Sequence, residues 1–202
     1  DNEAGDPPRR VLFADRVAFD ENDWPAIGNH GLPSESAVVP GGNYQGKHSA
    51  TDVNVFQAEE GTYRLMNVNS SKALEIEDGS TEAGAIAQQW DYEEADSQHW
   101  EIIWNDNGTA RLENVNSGMV LSASPDAPRT RGGEYKYVQR EWNEERGQEW
   151  KLIENVDGTH RLVNRLNGFT TDVLELSTDN GAPMIQWVYW GGDHQKWELV
   201  EV

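Results

Sequence analysis

Hydrophobic and polar residues alternate in short runs along most of the chain, and Gly, Asn, Asp and Ser residues bound each run. Alternation with a period of two is typical of half-buried β-strands, and the bounding residues are typical of turns. The clearest runs span residues 63–67, 74–77, 100–104 and 150–153. The pattern predicts an all-β fold, with at most a few turns of helix near residues 93–98 or 143–147.

The same pattern occurs three times. Each copy opens with Gly-Thr-x-Arg-Leu, at residues 61, 108 and 158, and closes with Gln-x-Trp, at Trp100, Trp150 and Trp197. Both marks recur at spacings between 47 and 50 residues, so they define one repeat. Units of about four strands cannot bury their apolar faces singly, so we expect them to share a core about a pseudo-three-fold axis. A closed arrangement also removes exposed strand edges.

Three Gln-x-Trp closings in register with three Gly-Thr-x-Arg-Leu openings resemble the ricin-B-type lectins, also known as carbohydrate-binding module family 13. The resemblance covers residues 55–202 and implies a β-trefoil of three repeats, which residues 1–54 precede as a strand-plus-linker extension. It also implies carbohydrate binding without catalysis. The family often has a cysteine before a Leu-Asp turn, where this chain has Ala73, Val120 and Val173, so the core is expected to lack disulfides.

The resemblance implies a sugar site in each repeat that keeps an aromatic residue for stacking and an acidic residue that accepts hydrogen bonds. The stacking position, ten residues before each final Trp, holds Trp90, Arg140 and Trp187. The acidic position, taken as the residue after a leucine, holds Glu75, Ser122 and Glu175. Sites are therefore expected in the first and third repeats, with Glu in place of the family's usual Asp.

Neighbouring polar and aromatic residues complete the expected sites. The predicted sugar-binding residues are Glu75, Gln88, Trp90, Tyr92 and Ser97 in the first repeat, and Glu175, Trp187, Tyr189, Trp190 and His194 in the third. The closing residues are expected in the core, with the indoles at its centre and the amides bonded to backbone groups. These core residues are Gln98, Trp100, Gln148, Trp150, Gln195 and Trp197. The histidines lack metal-ligand spacing, so no metal or cofactor is expected.

Charge excludes some partners. The chain has 36 acidic and 16 basic residues and a net charge of -20, which would repel nucleic-acid phosphates and anionic lipid surfaces. No stretch approaches the roughly 20 apolar residues of a membrane helix. Carboxylates spread along the whole chain favour a hydrated, halophilic type of surface, and an ordinary acidic surface is the alternative.

The first 54 residues are too few for an independent core. Residues 10–19 predict one strand, and the Gly- and Pro-rich residues 28–50 predict a linker. The run 10–15, with Asp23-Trp24-Pro25 and Gly31-Leu32-Pro33-Ser34, resembles the end of a five-bladed propeller of glycoside hydrolase family 43. This implies that the chain is the C-terminal part of a hydrolase whose catalytic residues lie upstream. A disordered leader with a strand-like patch is the alternative.

These observations predict a non-catalytic, monomeric carbohydrate-binding module. By its family resemblance it would be secreted and would hold an attached hydrolase near plant-type polysaccharide such as xylan or arabinan, or near galactose-bearing glycans. Two alternatives stay open: a trefoil spacer or docking domain without sugar binding, and a family 43-like hydrolase with catalysis in this chain.

Overall fold

The computed structural model describes residues 58–202 except Pro125, together with the backbone of two short strands nearer the N-terminus. The chain divides into two compact units, residues 1–51 and 52–202. In the first unit, β1 (Val17–Phe19) pairs antiparallel with β2 (Pro25–Ile27). The strand expected over residues 10–19 is thus described only at its end. The linker expected over residues 28–50 lies outside the described residues.

Twelve strands form the second unit, four from each repeat. The first repeat contains β3 (Gly61–Asn67), β4 (Ala73–Ile76), β5 (Ala87–Trp90) and β6 (Trp100–Trp104). The second contains β7 (Ala110–Asn114), β8 (Val120–Ser122), β9 (Val138–Arg140) and β10 (Trp150–Glu154). The third contains β11 (His160–Asn164), β12 (Thr170–Val173), β13 (Met184–Trp187) and β14 (Trp197–Glu201).

The first and last strands of each repeat form a closed barrel. The ring of antiparallel pairs runs β3, β6, β7, β10, β11, β14 and back to β3. The two inner strands of each repeat form one outer hairpin, so there are three: β4–β5, β8–β9 and β12–β13. The predicted all-β trefoil is confirmed.

In residues 58–202, Pro125 apart, helix is limited to three-residue 3₁₀ turns. One such turn precedes the last strand of each repeat, at Asp96–Gln98, Arg146–Gln148 and Asp193–Gln195. Two more follow β4 and β12, at Glu77–Gly79 and Leu174–Leu176. Within the described part of the chain, no helix has the length and apolarity needed to cross a membrane.

The centre of the trefoil is filled by the three closing indoles, which are fully buried. The Nε1 atoms of Trp100 and Trp150 donate to the carbonyl oxygens of Leu74 and Leu121, at 2.9 and 3.0 Å. The third indole, Trp197, instead donates to the hydroxyl of Thr171 at 2.8 Å. Each indole thereby ties the barrel to the outer hairpin of its own repeat, and its polar atom is satisfied.

The outer hairpins hold one another through a second set of buried glutamines, which the sequence analysis did not single out. The side-chain amide of Gln89 donates to carbonyls in the hairpin loop of the third repeat, and that of Gln139 to the loop of the first. Gln186 donates to Lys136 in the loop of the second. Each hairpin thus borders a hairpin loop from another repeat.

Candidate sugar-binding sites

The first-repeat site is built on a carboxylate between two amides. Glu75 on β4 lies opposite Gln88 on β5 and is 7% exposed. Its Oε1 accepts a hydrogen bond from Gln88 Nε2 at 2.8 Å, and its Oε2 accepts one from Gln98 Nε2 at 3.0 Å. Burial raises the pKa of Glu75, although the two amide donors partly offset that rise. The carboxylate is therefore held in one orientation, with lone pairs left for further donors.

Trp90 ends β5 and is partly exposed, two residues beyond Gln88. The hairpin loop of the third repeat borders it, since a Cβ placed on Gly181 would lie 3.7 Å from the indole and 3.8 Å from Gln88 Oε1. Ser97 is buried in the 3₁₀ turn that also carries Gln98. The structure thus supplies an acceptor carboxylate and an accessible indole on one hairpin.

The third-repeat site uses Asp172, and the assignment of Glu175 to the acidic position is wrong. Asp172 pairs with Ile185 on β13 as Glu75 pairs with Gln88, and its Oδ2 accepts from Gln195 Nε2 at 2.7 Å. Glu175 instead lies in the 3₁₀ turn after β12, at a φ of 56°.

The error arose from aligning the third repeat on the wrong residue. Leu174 resembles Leu74 in the sequence of its repeat, whereas the strand register makes Thr171 the counterpart of Leu74. Spacing from the final indole would have found the acid, because Asp172 precedes Trp197 by the 25 residues that separate Glu75 from Trp100.

His194 supports Asp172. It is 2% exposed, its Nε2 lies 3.4 Å from Asp172 Oδ2, and its ring packs on Trp190 with centroids 4.9 Å apart. Burial raises the pKa of Asp172, and the adjacent imidazole and the Gln195 amide oppose that rise. Asp172 and Glu75 therefore share the same role, with different partners.

A cleft of about 240 Å³ opens over Asp172. Two accessible indoles line it, Trp187 at 46% and Trp190 at 59% exposure. The other lining residues are Glu134, Leu174, Glu175, Leu176, Ile185 and His194. Glu175 therefore reaches the predicted site, in a different place from the one expected. Glu134 was not predicted, because it comes from the second repeat.

The two predicted tyrosines pack against arginines of the barrel strands. Tyr92 packs under Arg64, with 4.4 Å from the guanidinium carbon to the ring centroid, and Tyr189 packs under Arg161 at 4.7 Å. The Tyr189 hydroxyl donates to Asn155 Oδ1 at 3.2 Å, and Tyr189 is not among the lining residues of the cleft. Both rings therefore form cation–π contacts with the barrel strands.

Among the described residues, the second repeat has neither the carboxylate nor the indole of the other two sites. Ser122 and Arg140 occupy the acidic and stacking positions. Gly147 takes the position of Ser97, and its carbonyl accepts from Ala123 N at 2.8 Å. A Cβ on Gly147 would overlap the carbonyl oxygen of Ala123. The 3₁₀ turn of this repeat thus lies directly on the residue that follows β8, and the other repeats have the side chain of Ser97 or His194 at the position of Gly147.

The closing glutamines have a structural role in all three repeats. Each Oε1 accepts from the backbone N–H five residues earlier, and each Nε2 donates to the carbonyl seven residues earlier. In the first and third repeats the same Nε2 also donates to the buried carboxylate. Gln98 and Gln195 therefore orient the sites as well as the turns. Among residues 58–202 without Pro125, no group of three His, Cys, Asp or Glu side chains could hold a metal ion.

Comparison with known families agrees with this arrangement. The ricin-type β-trefoil lectin domain-like family matches three overlapping segments, residues 53–133, 104–187 and 146–202. The chain belongs to this family. Membership of a lectin family supports carbohydrate binding by the trefoil and a non-catalytic role for it.

Solved structures include other ricin-type trefoils. The designed three-fold symmetric protein ThreeFoil is 34% identical over 71% of this chain and 100% of its own, with a TM-score of 0.65. An exo-β-1,3-galactanase from Clostridium thermocellum is 31% identical over 73% of this chain, with a TM-score of 0.66; the match covers 31% of that enzyme. A Macrolepiota procera ricin B-like lectin in complex with lactose, at 18% identity and a TM-score of 0.60, shares the fold. No curated protein matches the sequence.

Proposed function

We propose that this ricin-type trefoil binds saccharides at two sites, in its first and third repeats, as a non-catalytic module of a secreted glycoside hydrolase. The observation that supports this most directly is the repeated pairing of a buried carboxylate with the closing glutamine in those two repeats. An accessible indole accompanies each carboxylate. The second repeat lacks both groups.

The chemistry of the two sites suits a sugar ring. A buried, oriented carboxylate accepts hydrogen bonds from sugar hydroxyls, and charge-assisted bonds of this kind are stronger than neutral ones. The face of Trp90 or Trp187 packs against the C–H face of the ring. Specificity then depends on the neighbours, which are Gln88 in the first site and His194 in the third.

The proposed ligands are plant-type polysaccharides such as xylan or arabinan, or galactose-bearing glycans. The galactanase that is 31% identical over the trefoil makes galactan the first polymer to test. If the trefoil is attached to a hydrolase, polysaccharide binding at two sites of modest affinity would raise the local concentration of substrate near the enzyme. The resemblance of residues 10–34 to the end of a family 43 propeller supports such an attachment.

Polysaccharide pull-down tests the proposal. We expect the wild-type chain to bind insoluble galactan, xylan or arabinan, and Trp90→Ala and Trp187→Ala each to weaken binding about tenfold through lost stacking. The double variant should not bind. Trp142→Ala is the matched control, because Trp142 packs with Arg111 in the second repeat, whose acidic position holds Ser122, and it should bind as wild type does.

Two results would contradict the proposal. A folded wild-type chain that binds none of these polymers would favour the spacer or docking alternative. Hydrolysis of a bound polymer by this chain alone would favour the enzyme alternative.

A further inference from the structure

The third-repeat cleft is bordered by a loop that differs from its counterparts. The segment between the paired residues Ser122 and Val138 is three residues longer than the segments between the equivalent pairs, Glu75 with Gln88 and Asp172 with Ile185. It is attached to β13 by hydrogen bonds from Gln186 N to Tyr135 O at 2.9 Å and from Tyr137 N to Met184 O at 2.9 Å. This longer segment therefore borders the third-repeat site.

Glu134 is the residue of this loop that lines the cleft. Isolated bridges pair Lys136 with Ile185 and Pro183 with Gln88, so Lys136 and Pro183 are equivalent. Counting back two residues from each makes Glu134 equivalent to Gly181. Glycine at that position leaves the edge of Trp90 open in the first site, whereas a carboxylate borders Trp187 in the third.

The loop holds this carboxylate in place. The hydroxyl of Thr130 donates to the Glu134 carboxylate, and Thr130 N donates to Glu134 O at 2.9 Å. Lys136 N donates to Pro128 O at 2.9 Å, which closes the base of the loop. The hydroxyl bond lowers the pKa of Glu134, so the side chain is ionised at neutral pH.

Three carboxylates line the cleft, those of Glu134, Asp172 and Glu175, and among the described residues no Lys or Arg lines it. At about 240 Å³ it is smaller than the roughly 300–1,000 Å³ typical of small-molecule pockets. An acidic group on a sugar bound there would lie within a few ångströms of a carboxylate, where like charges repel.

We propose that Glu134 makes the third-repeat site selective for neutral sugars over uronic acids, whereas the first-repeat site, with Gly181 at the equivalent position, discriminates less. The inference rests on the proposed function, because it assigns the ligand class of one of its two sites.

Titration with galactose and galacturonate tests this, since the two sugars differ only in the carboxylate at C6. Trp90→Ala is the background, because it weakens the first site and leaves the third site to dominate the binding signal. We expect galactose to bind about tenfold more tightly than galacturonate, as one like-charge contact at a partly exposed site implies. Glu134→Gln should raise galacturonate affinity about three- to tenfold and reduce the preference accordingly.

Glu82→Gln is the matched control, because it removes one carboxylate from the corresponding loop of the first repeat and should leave the preference unchanged. Molar salt should shrink the preference in the Trp90→Ala protein, as it screens the repulsion. A preference that persists in Glu134→Gln would overturn the role of Glu134. Binding of neither sugar by the Trp90→Ala protein would instead count against the third-repeat site itself, and with it the proposed function there.

Discussion

At the scale of single residues, the sites depend on two acids that are buried at an energetic cost. Glu75 and Asp172 are 7% and 4% exposed, and burial raises the pKa of each. Amide donors from Gln98 and Gln195 offset part of that cost and fix the direction of the carboxylates. The second repeat folds without a buried acid, so the buried carboxylates in the two repeats with accessible indoles indicate a function beyond folding.

The raised pKa values predict the pH dependence of sugar binding. Protonation removes the charged acceptor, so affinity should fall as the pH is lowered, and the fall should begin above the ordinary Asp and Glu values. Isothermal titration from neutral to acidic pH measures it, with Glu75→Gln and Asp172→Asn removing the dependence of one site each. Affinity that stays constant down to the ordinary carboxyl pKa would contradict the assignment.

The same shifts act on stability with the opposite sign. The native state binds these protons more tightly than the unfolded chain does, because the native pKa values are raised. The two groups therefore contribute stability below their unfolded pKa values, and this contribution is lost as the pH rises through the native values. Acid should therefore weaken sugar binding while it strengthens the contributions of these two groups to folding.

At the scale of elements, the three repeats share strands, pairings and 3₁₀ turns, yet only two have open sites. The difference lies in the distance between the turn and the second strand of the repeat. With glycine at residue 147 the turn approaches Ala123 closely enough for a direct backbone hydrogen bond. In the corresponding turns of the first and third repeats, this position holds Ser97 and His194, whose side chains are buried there.

Gly147→Ser tests this close approach. The new side chain would overlap the Ala123 carbonyl, so we expect the free energy of unfolding to fall by about 1–3 kcal/mol, as in other overpacked sites. Urea denaturation measures the change. Gly61→Ala is the control, since its Cβ would meet the Tyr63 ring at an ordinary 3.5 Å; equal effects of the two substitutions would contradict the steric explanation.

Local pattern predicted the elements better than it predicted the sites. Alternation located β3, β6 and β10, and the Gln-x-Trp spacing predicted the buried indoles, because both signals are contained within a few residues. Asp172 was not predicted because Thr171, and not a leucine, precedes it in the third repeat, while the nearby Leu174 matches the leucine of the other repeats. Glu134 could not be predicted, since its place in the cleft depends on packing between two repeats.

At the scale of the whole molecule, the net charge of -20 affects stability as well as partners. Carboxylates distributed along the chain repel one another in the compact state more than in the extended chain. Salt reduces this repulsion, because the Debye length shrinks from about 10 Å at 0.1 M to about 3 Å at 1 M.

The unfolding temperature should therefore rise from low salt to molar KCl. Thermal unfolding followed by tryptophan fluorescence measures the rise. The control is the same salt series near the isoelectric point, where the effect should largely disappear. A melting temperature that is unchanged or falls in molar KCl at neutral pH would favour the ordinary acidic surface over the halophilic type.

The pairing of β14 with β3 sets the order in which the trefoil can be completed. Residues Trp197–Glu201 lie beside Tyr63–Asn67, and Val202 N donates to Thr62 O at 2.9 Å. During synthesis on the ribosome the barrel therefore cannot close until its last strand, β14, has been made. Closing so long a loop has a high entropic cost and makes folding slow. Both sugar sites also depend on the third repeat, because its hairpin loop borders Trp90 and its strand β12 carries Asp172, so neither is complete before that repeat has been translated.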